Sequence, residues 1–241
     1  MCTLTLWWRS FADAPVVVAA NRDEDPRRAW TSPAAWPVEQ IFAGRDLVGG
    51  GTWLGVNRHG VLCGLTNLWG APPDPSLASR GAIVLAALAE KNADAAARAV
   101  AAIPLRRVNP FVLLAADADS AWRVDHAGTV ERCALTPGIH VLANWGPHAE
   151  LPRSERARTL AEAIPTSDVA AALPGLRALV ADHEGAAIRG TPICGHGDDY
   201  ATVCSTLIAL GRTTLWRDAR GNPCVAEWAD RTLELVSLLS G

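Results

Sequence analysis

Cys2 directly follows the initiator Met1, and a small residue in second place is the usual signal for removal of that methionine. The exposed Cys2 would carry a thiol and a free α-amino group on one residue. An α-amino group titrates at about 7.7–8.0 and a thiol at about 8.5, so a proton can pass between them near neutral pH. This is the chemistry of an N-terminal nucleophile, in which the amine serves as base in place of a separate histidine.

Further polar residues stand where such a nucleophile needs them. Asn21-Arg22-Asp23-Glu24 is an abrupt charged cluster at the end of an apolar run. If that run pairs as a hairpin with residues 3–8, Arg22 and Asp23 arrive beside Cys2. A carboxylate there can hold an ammonium, and an arginine can orient a thiolate or a substrate carboxylate. Asn67 and Asn144 each close an apolar run, and a strand-terminal amide can donate to the negative charge that develops on a carbonyl oxygen under attack.

Two other patterns carry less. Gly49-Gly50-Gly51 lacks the Lys-Ser/Thr ending of a phosphate loop and precedes a strand, so it is read as a bulge or a close backbone approach. The stretch from Cys194 to Tyr200, with His196, Asp198 and Asp199, and with Cys204 beyond it, has the residue types of a metal site. Its spacing fits no common zinc pattern, so it is read as a polar loop and no metal is expected.

The elements follow from periodicity. Residues 3–8 and 16–20 predict a buried hairpin, and 48–57, with its glycine-rich entry, and 61–66 a second one around Arg58-His59-Gly60 that ends at Asn67. Residues 30–46, interrupted by Pro33 and Pro37, predict a loop with exposed tryptophans. Two helices are expected between 79 and 102, broken near Asn92, with Asp94 as cap. Strands follow over 109–116, 122–126, 129–135 and 139–143. Helices over 154–164 and 167–182 are capped by Ser154 and by Ser167 or Thr166. Residues 202–210, 213–217, 224–228 and 232–238 predict a closing β-meander.

Composition bounds the rest. With 241 residues, 49% hydrophobic and 20% charged, the chain can bury a core, and one domain over 1–241 is expected. A net charge of −3 without a basic, aromatic-laced patch argues against a nucleic-acid partner. Six scattered cysteines suggest reduced thiols and a cytoplasmic location. No apolar run reaches about 18 residues, so no membrane span is expected.

Several ordered motifs together, Met1-Cys2-Thr3, Ala19-Ala20-Asn21-Arg22-Asp23-Glu24, Gly50-Gly51-Thr52-Trp53-Leu54-Gly55, Leu65-Thr66-Asn67 and Leu135-Thr136-Pro137-Gly138, make the whole chain resemble the NRDE family, also called transport-and-Golgi-organisation-two-like. That family is similar in turn to N-terminal-nucleophile hydrolases of the choloylglycine hydrolase and penicillin V acylase type. The resemblance implies an α+β fold of αββα sandwich type. It also implies Cys2 as nucleophile, Asp23 as the carboxylate on its amine, and Asn67 and Asn144 in the oxyanion hole. Arg22, Trp53, Trp69 and Trp145 are the expected substrate-binding residues, and a small amide or acyl compound the expected ligand, with no cofactor.

Two positions depart from the pattern. Ala20 stands where those hydrolases carry an arginine, and Tyr200 to Thr206 lacks the arginine usual before the late strand. A second expectation, from what is proposed for relatives, is a non-catalytic carrier of haem or an acyl-CoA-like ligand, with tryptophans lining an apolar cleft and His59, His140 or His148 as a haem ligand.

Overall fold

The computed structural model describes residues 2–68, 74–143, 152–184 and 192–241. The chain gathers into two compact units, one formed by residues 1–27, 137–143 and 150–232, the other by 28–136, 144–149 and 233–241.

The first unit is built on a six-stranded antiparallel sheet. Its strands are β1 (Thr3–Trp8), β2 (Val16–Glu24), β10 (Gly138–Ala143), β11 (Ala201–Leu210), β12 (Leu215–Arg220) and β13 (Trp228–Asp230), in the order β10-β1-β2-β11-β12-β13. β1 and β11 are buried along their whole length, as is β2 up to Asp23, so both faces of these strands are covered and their sequences read as nearly unbroken apolar runs. On one face Trp7, Val17, Ala19, Leu207 and Ala209 pack against α3 (Pro152–Glu162) and α4 (Val169–Val180) through Ala157, Ala161, Ala172, Leu176 and Leu179. The alanines of α3 let that helix lie close to the sheet.

The second unit holds a seven-stranded antiparallel meander in plain chain order. It comprises β3 (Trp30–Trp36), β4 (Ile41–Asp46), β5 (Leu54–Asn57), β6 (Leu62–Asn67), β7 (Phe111–Ala116), β8 (Ala121–Ala127) and β9 (Thr129–Ala134). Helices α1 (Gly81–Leu88) and α2 (Ala93–Ala101) cover one face, where Ile83, Val84, Ala97 and Val100 meet Cys63, Leu113, Ala115 and Val124. A final helix, α5, runs from Thr232 to Leu239.

Both predicted hairpins are present, the first in the register Thr3↔Asn21 to Trp8↔Val16. Several expectations are corrected. Residues 30–46 are two strands and not a loop: β3 is an edge strand, and its register shifts between Thr31 and Ala34, so Pro33 sits where a missing N–H is tolerated. Trp30 and Trp36 are accordingly buried. The polar cluster after Ala20 does not end β2, which continues to Glu24 because β11 pairs with it. The cap of α2 is Asn92, whose Oδ1 accepts from the Ala95 N–H, and that of α4 is Asp168, accepting from Ala171 N–H. The last apolar stretch is a helix and not a strand, with Asp230 accepting from the Thr232 N–H at its start, and Cys224 lies outside any strand.

Candidate active site

Cys2 lies one residue before β1, which runs between β10 and β2 in the six-stranded sheet. The thiol is half-buried and donates to the backbone carbonyl of Asp23 at 3.6 Å. Burial pushes its pKa up from the ordinary value, and the charge of Asp23 adds to this. The positive N-terminus, the hydrogen bond to Asp23 and the Arg22 guanidinium act in the opposite sense. A thiol in this position is held protonated until a base takes its proton, which suits a nucleophile activated only when needed.

Strand alternation sorts the neighbouring residues onto two faces. Asn21 and Asp23 face the helices, and Arg22 faces the opposite way. Asp23 is 4% exposed, and its two carboxylate oxygens are held separately. Arg153 Nη1 donates to Oδ2 at 2.7 Å, and the Thr202 hydroxyl donates to Oδ1 at 2.7 Å. Arg153 sits in the first turn of α3, is 4% exposed, and also reaches the Thr3 hydroxyl at 3.5 Å. Two residues earlier in β2, the Asn21 amide donates to the carbonyls of Val180 and Ile193 at 2.8 and 3.0 Å while its Oδ1 accepts from the Ser205 hydroxyl at 2.5 Å. These bonds tie the end of α4 and the chain before β11 to the strand that carries Asp23.

A β-bulge makes this arrangement possible. β11 pairs Thr202 with Asp23 but Cys204 with Arg22, so one extra residue, Val203, lies between the two pairs. Regular alternation would put Thr202 and Cys204 on one face. The bulge instead gives Thr202 and Ser205 to the helix face, where Asp23 and Asn21 need hydroxyls, and Cys204 to the face of Arg22. Burial pushes the Cys204 thiol up to about 12, with Arg22 pulling the other way, so of the two thiols beside Arg22 the fully buried one is inert at neutral pH. Arg22, itself buried, pairs with Glu24 at 3.5 Å. Tyr200, 37% exposed, stands near enough that the charges of Cys2 and Asp23, after burial, raise its phenol pKa.

Cys2, Arg22 and Asp23 are thus brought together as expected. Asn67 ends β6, half-buried and paired with Phe111, and Trp53 stacks edge-on to Trp30 at 5.7 Å; both lie in the second unit. Asn144, Trp69 and Trp145 fall outside the described residues. Sequence reasoning missed Arg153, Thr202 and Tyr200. Arg153 left one signal: a cation in the first turn of a helix opposes the helix dipole, so it needs a carboxylate partner. Arg153 comes to Asp23 from 130 residues further along the chain and lies on the face of β2 opposite to Ala20.

The profile of a family described as Transport and Golgi organisation 2 matches residues 1–214. A curated mouse protein, "Transport and Golgi organization 2 homolog", is 30% identical over 138 residues, 54% of this chain and 50% of the mouse protein, so the matched region spans about half the length of that relative. Among solved structures, penicillin V acylase from Agrobacterium tumefaciens is similar with a TM-score of 0.58 at 17% identity, over 96% of this chain and 86% of its own. The Caenorhabditis elegans N-acylethanolamine-hydrolyzing acid amidase ortholog has a TM-score of 0.57 at 11% identity, over 86% and 92%. At these identities the likeness shows the fold alone, an α+β sandwich of αββα type.

Proposed function

The chain belongs to the Transport and Golgi organisation 2 family, and from that membership we propose that it is an N-terminal-nucleophile amidohydrolase or acyltransferase acting on a linear amide other than a peptide bond. The observation that carries the reading is the half-buried Cys2 thiol beside the Arg22 charge and a buried Asp23 held by both Arg153 and Thr202. The two enzymes of like fold are an acylase of penicillin V and an amidase of N-acylethanolamines, which supports an acyl amide as the substrate class.

With Met1 removed, the Cys2 amine takes the thiol proton and the sulfur attacks the amide carbonyl. A C–S bond forms and the carbonyl electrons move to oxygen. Asn67 and Asn144, with backbone N–H groups, supply donors to that oxyanion. The amine then returns its proton to the departing nitrogen as the C–N bond breaks, leaving a thioester. Water, or an acceptor amine or alcohol, resolves the thioester, with the same amine as base. Asp23 keeps the amine oriented, and Arg22 directs the thiolate or a substrate carboxylate.

Intact-mass measurement after incubation with an activated acyl ester tests this. The expected result is loss of Met1 and a single acyl adduct on Cys2, absent from Cys2→Ala. Asn67→Ala should keep the fold and lose about 10²–10³ in turnover. An adduct that survives in Cys2→Ala overturns the nucleophile assignment, and unchanged turnover in Asn67→Ala removes that residue from the mechanism. A chain that transfers haem or an acyl-CoA equally well as Cys2→Ala would be a carrier. Of the tryptophans expected to line its cleft, Trp30 and Trp36 are buried, and Trp69 and Trp145 lie outside the described residues.

A further inference from the structure

Away from Cys2, the first unit gathers four metal-binding side chains: His183, Cys194, His196 and Cys224, their ligand atoms all within 4.8 Å of one another. They come from three separate places in the chain. His183 follows α4, Cys194 and His196 precede β11, and Cys224 follows β12. Cys194 is buried, Cys224 half-buried, and the two histidines exposed, so one side of the cluster meets the protein and the other the solvent.

Three of the distances are close to those of a tetrahedron. Zinc bonds of about 2.3 Å to sulfur and about 2.0–2.1 Å to nitrogen, at tetrahedral angles, place two sulfurs about 3.8 Å apart, a sulfur and a nitrogen about 3.6 Å, and two nitrogens about 3.3 Å. The Cys194 and Cys224 sulfurs are 3.8 Å apart. His196 Nε2 lies 3.6 Å from Cys194 Sγ and 3.4 Å from Cys224 Sγ. The two Nε2 atoms are 2.8 Å apart, shorter than the tetrahedral edge, and belong to exposed rings free to open. Two thiols at 3.8 Å are not joined as a disulfide, whose sulfurs bond at about 2.05 Å. The Asn222 amide donates to Cys194 Sγ at 3.8 Å and to the Gly195 carbonyl at 2.7 Å, which fixes the sulfur and the loop that carries His196.

We propose that His183, Cys194, His196 and Cys224 form a closed Cys₂His₂ site for a single Zn²⁺ ion, structural in role. Four protein ligands leave no position for substrate, which separates the site from catalytic zinc. Soft thiolates with imidazoles select zinc over magnesium, calcium or manganese. The spacing is His-x₁₀-Cys-x-His-x₂₇-Cys, unlike any pattern readable along the chain, because the fold and not the sequence brings His183 and Cys224 to the loop. Of the other donors around that loop, Cys204 is buried in β11 and Asp199 pairs with Arg27. The ion would staple the end of α4 to the approach of β11 and the exit of β12. From there the Gly195 N–H donates to the Thr202 hydroxyl at 2.9 Å, and Thr202 to Asp23. The site stands whether or not Cys2 is a nucleophile.

The test uses the full chain. Elemental analysis of protein purified without chelator should find about one zinc per chain. The stripped, reduced protein titrated with Co²⁺ should develop the intense visible bands of tetrahedral cobalt and a sulfur-to-metal charge-transfer band, saturating at one equivalent and displaced by Zn²⁺. Cys224→Ser and the surface variant His183→Ala should lose or weaken both, while Cys133→Ser should not. A folded, reduced wild-type chain that binds no Co²⁺ or Zn²⁺ overturns the proposal. So does an octahedral cobalt spectrum without charge transfer, a spectrum unchanged in both Cys224→Ser and His183→Ala, or a Cys194–Cys224 disulfide in metal-free protein as isolated.

Discussion

At the scale of single residues, the pair Asp23 and Arg153 is the most consequential contact in the first unit. Both charges are withdrawn from water, so each depends on the other. Removing only one deprives the other buried charge of this partner, at a cost of about 3–5 kcal/mol. Arg153→Met should therefore lower the denaturant midpoint sharply, and adding Asp23→Asn to it should recover a substantial part. Additive losses in the double variant would show that the pair does not interact as described. His126, in the second unit, is 1% exposed and stacks on Phe111 at 4.7 Å. Burial lowers its pKa from 6.5, against hydrogen bonds that favour its charged form. The unfolded chain therefore binds the proton more readily, and the stability this histidine contributes is present above 6.5 and lost as pH falls below it. Thermal melts from neutral to acidic pH, with chelator present so that His183 and His196 report no metal loss, should show this decline. His126→Phe should flatten it; an unaltered decline would place its origin elsewhere.

Among the elements, the turn from β4 to β5 shows why glycines cluster at 49–51. Gly50 has a φ of +73°, open to glycine at little cost, with space around it. Gly51 is different: a Cβ there would run into the Gly81 backbone at the start of α1, which cannot shift without moving the helix. Gly51→Ala should cost more than Gly50→Ala, about 1–3 kcal/mol against about 1 kcal/mol, as measured by urea unfolding. Equal losses would show that backbone conformation, and not the close approach, sets the requirement. The hairpins, the two helix pairs and the strands from 109 to 143 were legible because their apolar periodicity is local. What was not legible depended on distant partners. β3 was hidden by Pro33, which an edge strand tolerates; β2 reached Glu24 only because β11 pairs with it. The alternation in Thr232-Leu233-Glu234-Leu235-Val236 imitated a strand in what is a helix. Cys2, Arg22 and Asp23 could be grouped from one hairpin, whereas Arg153, Thr202 and the quartet around Cys194 could not, because no local spacing encodes them.

For the whole molecule, protection should follow burial and position in each sheet. No helix among the described residues is long and apolar enough to cross a membrane. In hydrogen exchange, β1, β2 and β11, covered on both faces and paired on both edges, should exchange most slowly, and the exposed edge strand β9 among the fastest. Fast exchange in β2 would contradict the central place given to it. The sheet order also has a meaning in time. Hairpin β1–β2 leaves the ribosome before β10 and β11, which close its outer edges, and Thr202 follows Asp23 by 179 residues. At about 5–20 residues per second, the nascent hairpin waits on the order of ten to forty seconds with apolar faces and two open edges. The strands that carry the candidate nucleophile and its carboxylate are thus made long before the strands that close their edges, and nascent chains arrested before β11 should be the species that chaperones hold.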